Sequence, residues 1–565
     1  MALRHAPIAI AALWLIGCGG SSSKPDAGSG TGGSISGSAG TGGSSAGSGG
    51  GGAAGSGTAG ANPTGSLVLP GQDWVLLDNG APCTNEVGAT GDRWCAIQVS
   101  PTATGVGPLW VINVSKAAAG TSINCASGTD PNCLKLLPTL TEDPLLYHPN
   151  GFNGDTLIYY DNDGAGTYTP FAWRPGMTMG RMLATGNVAS DVWNCTADTK
   201  GTAVWCLRDL PTAMQTDPSN MLLSDLLAGH LDGAATPPLA RIETVIAGSS
   251  SDNPDFPHFQ VGFPVPGSET IAWSARGSLT GVEVLKTQTL ANDGSRATVA
   301  MDVNRWQVAP DGLHWFWLSH IDDTSGAGTL QSAPYPAGTS PTMIGAAVIQ
   351  YSFPTTASLV ALDSTKALKG FTDPVGAPTT SVALDTGVLA VISQSKMGHL
   401  AYVKTARSTS TNATFTDLFI KKVDGTGACT LSTATDANPF IFLFTPSAGG
   451  ASWLQRTITS QGAQYTRMAD CTKTSVSPIT STAVFTRPLG DRGILYVTDV
   501  DNVTGTGVVS LQPLDATATI SGTSSVVSGQ VGTLIPTASG GTDILVYTVN
   551  GGGSDDGVYV RGFGP

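Results

Sequence analysis

Three short stretches of this 565-residue chain hold the residues best suited to chemistry. "YDNDGAGTY" places Asp161 and Asp163 two apart ahead of a glycine, the start of the D-x-D-x-D-G spacing by which calcium loops present oxygens. The third acidic position and the distal bidentate glutamate are missing. Asp-Asn-Asp-Gly is also strong turn chemistry between "TLIYY" and "TYTPFAW", so a hairpin is the expectation. "SSDNPDFPHF" gathers Asp252, Asp255 and His258 in a Pro-rich loop. "LHWFWLSH" carries His314 and His320 among five large apolar residues. Strand alternation puts Leu313, Trp315 and Trp317 on one side and His314, Phe316, Leu318 and His320 on the other. A sugar-stacking platform or a two-histidine metal site would use these groups, but a strand buried on both faces is the expectation.

No catalytic residue is assigned. Glycoside hydrolysis needs two carboxylates, one with a raised pKa, and nothing singles out such a pair. The histidines are too few and too scattered for a Ser-His-Asp arrangement. "GSSAG" matches the nucleophile-elbow pattern at Ser45 but lacks the strand before it and the helix after it. Asp161, Asp163, Asp252, Asp255 and His258 are the only metal candidates, and Ca2+ is the one cofactor left open. With 12% charged residues, a net charge of −14 and no basic cluster, nucleic acid is excluded as a partner.

The N-terminus gives an address. Arg4 and His5 precede an apolar run from Ile8 to Ile16, too short to span a bilayer and suited to the h-region of a secretory signal. Leu15-Ile16-Gly17-Cys18 then resembles a bacterial lipobox. The resemblance implies a signal over residues 1–17 and diacylglycerol on the Cys18 thiol, and two or three acyl chains suffice for stable anchoring. Gly19 stands where an aspartate would favour the inner membrane of a Gram-negative cell, so the outer membrane is expected, facing periplasm or exterior. Residues 18–66 are a tether built of Gly, Ser, Ala and Thr, apart from Cys18, Lys24, Pro25, Asp26, Ile35, Asn62 and Pro63. Such a composition stays disordered and spans on the order of 40 Å.

Eight of the nine cysteines remain after Cys18, an even set that reads as disulfides in an exported chain. Close neighbours give Cys83–Cys95, Cys125–Cys133 and Cys195–Cys206, each contributing about 3 kcal/mol through the unfolded state if unstrained. Cys429 and Cys471 are left as a fourth pair with pairing open. No spacing here suits zinc.

Residues 67–565 are strand-like throughout and repetitive. A turn glycine, a strand, a loop and a second strand recur as "GDTLIYYD" with "YTPFAWRP", "GTAVWCLRD" with "NMLLSDLL", and "DGLHWFWLSH" with "GTLQSAPYP". Nine such copies are readable, and the wide gap between Gly312 and Gly398 has room for another at "AAVIQYSF" and "ASLVALDS". Their spacing of roughly 43–66 residues is that of a β-propeller, whose sheets bury both faces by stacking radially. "WQVAPDGLHWFWLSH" and "TDLFIKKVDGTGACTLST" resemble the propeller repeat of TolB-type proteins. That resemblance implies an all-β propeller, here of seven or eight four-stranded blades. It does not carry over the scaffolding role, because TolB has six blades and an α/β domain where this chain has a tether. Sialidase-type propellers carry S-x-D-x-G-x-T-W, which "TADTKGTAVW" approaches but does not match.

The expectation is therefore a lipid-anchored, non-enzymatic propeller that binds a protein, peptide or glycan. A propeller hydrolase or lyase acting on extracellular polymer is the alternative, and a structural or adhesive surface protein a third reading. Mass spectrometry of the membrane fraction should find acyl mass on Cys18; a mature chain without it would exclude the anchor.

Overall fold

The computed structural model describes residues 63–564 with interruptions, chiefly at 85–90, 100–106, 141–150, 163–167, 186–191, 211–220, 250–258, 291–295, 408–413, 433–439, 445–451, 470–484, 502–505 and 515–521. Cys18 and the whole segment 1–62 lie outside the described residues. What is described is almost entirely antiparallel strand, in eight hydrogen-bonded sheets.

Each sheet is a run of consecutive strands. Blade one holds Trp74–Leu76, Trp94–Val99, Gly107–Asn113 and Cys133–Leu140; blade two holds Phe152–Asn153, Thr156–Asn162, Tyr168–Trp173 and Arg181–Met182. Blade three is Val192–Ala197, Ala203–Asp209, Met221–His230 and Leu239–Ser249; blade four is Gln260–Gly262, Thr270–Arg276, Glu283–Thr289 and Arg296–Met301. Blade seven is Val388–Gln394, His399–Arg407, Thr414–Lys422 and Cys429–Ser432, and blade eight shows Phe440–Phe444, Ser452–Thr459 and Gly462–Ala469.

The two remaining sheets have seven strands each and are double. Thr342–Thr355 pairs through its first half with Ala327–Pro334 and through its second half with Ser358–Asp363. Ala347, at φ 54°, bends the chain between the halves. It is the outer strand of blade five and the first strand of blade six. Ser525–Ser539 does the same for blades nine and ten, bent at Gln530, also at φ 54°. The repeat leads to an expectation of seven or eight four-stranded blades, and the described strands form eight sheets. Because two are double, they make ten blade units, one beneath every sequence copy, including the copy in the Gly312–Gly398 gap.

Apolar cores join the units in sequence order. Trp94, Ala96, Leu109 and Val111 of blade one meet Phe152, Leu157, Tyr159 and Trp173 of blade two. Separate cores follow between blades two and three, three and four, four and five, five and six, six and seven, and nine and ten. The strand 314–322 shows why alternation was readable: Trp315 and Trp317 face blade four, while Phe316 and Leu318 face blade six. All four are buried, so the aromatic stretch is core and not a stacking platform.

First strands form the hub. Those of blades four and five, and of seven and eight, approach each other directly. Side chains tie one first strand to the next blade's backbone. Asn153 donates to the Ala197 carbonyl, Gln260 to Trp306, Arg305 to Ile349 and Gln350 to Val391.

The ring closes with strand Ser66–Pro70, which pairs with Gly557–Phe563 and supplies the fourth strand of blade ten. Val68 and Leu69 are buried with Ile544, Val546, Val558 and Val560 of blade ten and Ile97 and Ile112 of blade one. Each contributes about 1.5–3 kcal/mol by burial. Thr64 adds polar ties, donating to the Val527 carbonyl and accepting from Tyr547 at 2.7 Å and Arg561 at 2.6 Å.

Closure through these residues makes a contrast measurable. Leu69→Ala should lower unfolding free energy by about 2–4 kcal/mol in denaturant titration. Leu67→Ala, at the 42% exposed neighbour, should cost less than about 1 kcal/mol.

Candidate functional site

In this topology the second strand of each blade runs away from its hairpin with the first strand. Loops between second and third strands therefore share one face with the connections between blades, here called the loop face. Such loops, held on a rigid scaffold, are where propellers have freedom to carry sites.

Asp161 lies in the second strand of blade two, opposite Thr169, at the loop face. Asp163 lies outside the described residues, as do Asp252, Asp255 and His258 in the connection from blade three to blade four. Among the described residues no group of three His, Cys, Asp or Glu side chains is placed to hold a metal ion. His314 and His320 begin and nearly end one strand. Six residues of extended chain separate them by about 20 Å, too far to share a metal.

Charged groups crowd the loop face of blades three to six. Asp225 is buried at 3% exposure, accepting from the Arg208 guanidinium at 2.7 Å and the Thr244 hydroxyl at 2.6 Å. Ser224 donates to Asp209. Arg276 stands 3.7 Å from Glu283. At the junction of blades four and five, one Asp302 oxygen accepts the His320 backbone N–H at 2.8 Å and lies 3.0 Å from its Nδ1. Both residues adopt left-handed backbone, φ 58° and 53°, a conformation uncommon outside glycine and often found at functional sites. The His320 side chain is 79% exposed, leaving Nε2 to solvent. Held this way by a carboxylate, the imidazole has a fixed orientation and presents Nε2 to a hydrogen-bonding partner in solvent.

The strand-end carboxylates have a plainer task. Asp322 accepts from the Thr324 and Ser325 N–H groups, which hold its carboxyl below the usual range. Burial would raise the Asp363 carboxyl, but hydrogen bonds from the Thr365 hydroxyl, the Ala367 N–H and the Lys369 ammonium outweigh it and leave it low. Both fold the loop that follows their strand.

Two clusters that no sequence motif pointed to bind blades at their outer parts. Glu243, on the outer strand of blade three, accepts from Trp273 Nε1 at 2.8 Å and Lys286 Nζ at 2.6 Å, both of blade four. Asp385 ends Val382–Asp385, the outer strand of blade six, and accepts from the Tyr402 hydroxyl and Lys404 of blade seven. Burial, and then the Asp385 carboxylate, push the Tyr402 hydroxyl well above its ordinary pKa. The common pattern is a carboxylate on an outer strand and an aromatic donor on the next blade's second strand. "TADTKGTAVW" also proves to be a joint: Asp198 accepts from Lys200 N–H in its own turn and from Gly267 N–H of blade four.

Disulfides Cys83–Cys95, Cys125–Cys133 and Cys195–Cys206 are formed as the cysteine spacing predicts, and all six residues are buried. Cys471 lies outside the described residues, so the Cys429–Cys471 pair does too. Among the described residues no helix is long and apolar enough to cross a membrane.

No family model matches the chain, and no curated protein matches it. Among solved structures the chain is similar to a prolyl endopeptidase, at TM-score 0.35 and 11% identity over 65% of this chain and 53% of that one. It is similar to the tricorn protease at TM-score 0.28 and 11% identity, over 84% and 47%. The β-propeller domain of the Trilobed protease from Pyrococcus furiosus gives TM-score 0.29 and 8% identity, over 60% and 98%. The chain spans about half the length of the first two.

The low Asp363 carboxyl sets a pH dependence. A carboxyl held below its unfolded value of about 3.9 contributes stability above that pH and loses it as pH falls through the folded value. Asp363→Asn should be less stable than wild type at pH 7 in denaturant titration, and the difference should shrink progressively as pH falls below the unfolded carboxyl value of about 3.9 and through the lowered folded one.

Proposed function

We propose that this chain is a lipid-anchored envelope protein with a TolB-like propeller, binding a protein, peptide or glycan on the loop face. The single observation that carries this reading is the fixed polar rim of blades three to six. Asp225, Glu283 and Asp363 are each held by basic partners, while the exposed His320 is positioned by Asp302. Pre-positioned polar groups lower the ordering cost of recognition.

In this reading residues 1–17 are the signal, 18–66 the tether and 67–565 the propeller. The lipid on Cys18 holds the chain at the outer membrane, and three described disulfides fit an oxidising compartment. Ca2+ at Asp161 and Asp163, or at Asp252, Asp255 and His258, remains part of the proposal only as a ligand of those loops.

A second reading, a propeller hydrolase or lyase, draws on one feature: the His320–Asp302 pair is an acid–base pair open to solvent. Peptide and glycan arrays probed with the full chain distinguish the two. Binding to a discrete set, weakened at least tenfold by His320→Ala with Arg208→Ala, is the expected result. Cleavage of an oligosaccharide or peptide panel, lost in His320→Ala, would overturn it in favour of the enzyme.

A further inference from the structure

We propose that residues 114–133 of blade one form an oxidation-dependent clasp for the closing strand, so that the ring shuts fully only after Cys125 and Cys133 have joined. The closing strand is five residues long and has a single ladder partner, with a register irregularity between Leu67 and Leu69. Its buried side chains need a cover on the other side. The connection between the third and fourth strands of blade one supplies it: Val114, Ala117, Ile123, Cys125 and Cys133 share one core with Val68 and Leu69.

That cover cannot hold itself by local structure alone. Its helix, Val114–Ala118, has five residues, below the length at which helices persist unaided. Asn113 caps it, accepting from Lys116 N–H and the Ser115 hydroxyl while donating to Asp92. The helix rests on Gly557–Phe563, where Gly562 permits the approach: a Cβ there would stand 2.6 Å from the Ala118 carbonyl oxygen. Beyond the helix the 3-10 turn Cys125–Ser127 contacts the closing strand. The Cys125–Cys133 bond ties this turn to the fourth strand of blade one. Within the bonded loop Asp130 accepts from Asn124 and Asn132 N–H groups at 2.8 and 2.9 Å.

Without the bond, the turn is joined to its sheet by the backbone of residues 128–132 and the Asp130 hydrogen bonds alone, so the cover over Val68 and Leu69 is held by no covalent tie and can lift. The forming step moves two protons and two electrons from the Cys125 and Cys133 thiols. A protein disulfide of an oxidant in the exported compartment accepts them and leaves as two thiols, while the Sγ–Sγ bond forms. Cys195–Cys206 sits in the core between blades two and three and serves as an internal comparison.

Hydrogen exchange with mass spectrometry on the full oxidised chain tests this. Cys125→Ala with Cys133→Ala should speed exchange at least tenfold in 66–70 and 557–563 while leaving 314–322 unchanged. Cys195→Ala with Cys206→Ala should leave 66–70 as in wild type. Unchanged protection of 66–70 in the first variant, or an even loss around the ring, would overturn the clasp. If the first variant fails to fold, Ile123→Ala keeps the disulfide and thins the same cover. It must then speed exchange selectively at 66–70, and failure to do so overturns the proposal.

Discussion

Pairing between residues near the two ends of the chain is the constraint on which this architecture rests. Blades of this kind bury a face on each side, so the first and last blades need each other as much as any neighbours do. Ser66–Pro70 meets that need by completing blade ten with a strand that precedes blade one. Its apolar pair, Val68 and Leu69, enters the core where both blades meet. Two of the three disulfides among the described residues border this core, Cys83–Cys95 and Cys125–Cys133. That described covalent reinforcement lies where the ring has no continuous backbone across it.

Polar chemistry is distributed by radius. At the hub, amide and guanidinium donors from one first strand satisfy carbonyls of the next blade. Farther out, carboxylates such as Glu243 and Asp385 accept from aromatic and lysine donors across the blade boundary. A buried polar group costs free energy unless it is bonded, so these joints fix register between blades as well as holding them. The loop face differs, because there Asp302 orients a histidine toward water.

Strand and turn were legible because their physics is local. Period-two alternation placed Trp315 and Trp317 against one neighbour and Phe316 and Leu318 against the other. Cysteine spacing gave three bridges because each pair lies across a short connection. The double sheets were not legible. A propeller repeat normally announces its boundary with a loop, whereas Thr342–Thr355 and Ser525–Ser539 pass between blades as single bent strands. The joints of Glu243 with Trp273 and of Asp385 with Tyr402 were hidden for another reason: their partners come together only when blades stack. Repeated aspartates at the ends of second strands, Asp161, Asp209, Asp322 and Asp363, were a readable signal of the loop face.

The contact between Thr64 and Arg561 spans 497 residues. Synthesis runs from the N-terminus at about 5–20 residues per second, so the closing strand is made roughly 25–100 s before its partner exists. During that interval Leu67, Val68 and Leu69 form an unpaired apolar edge, the kind of segment that templates association with other chains. The stretch just upstream is rich in Gly and Ser, residue types with little tendency to pair as strand. The order in which the chain is made, and not only the shape it reaches, is then part of what its sequence has to solve.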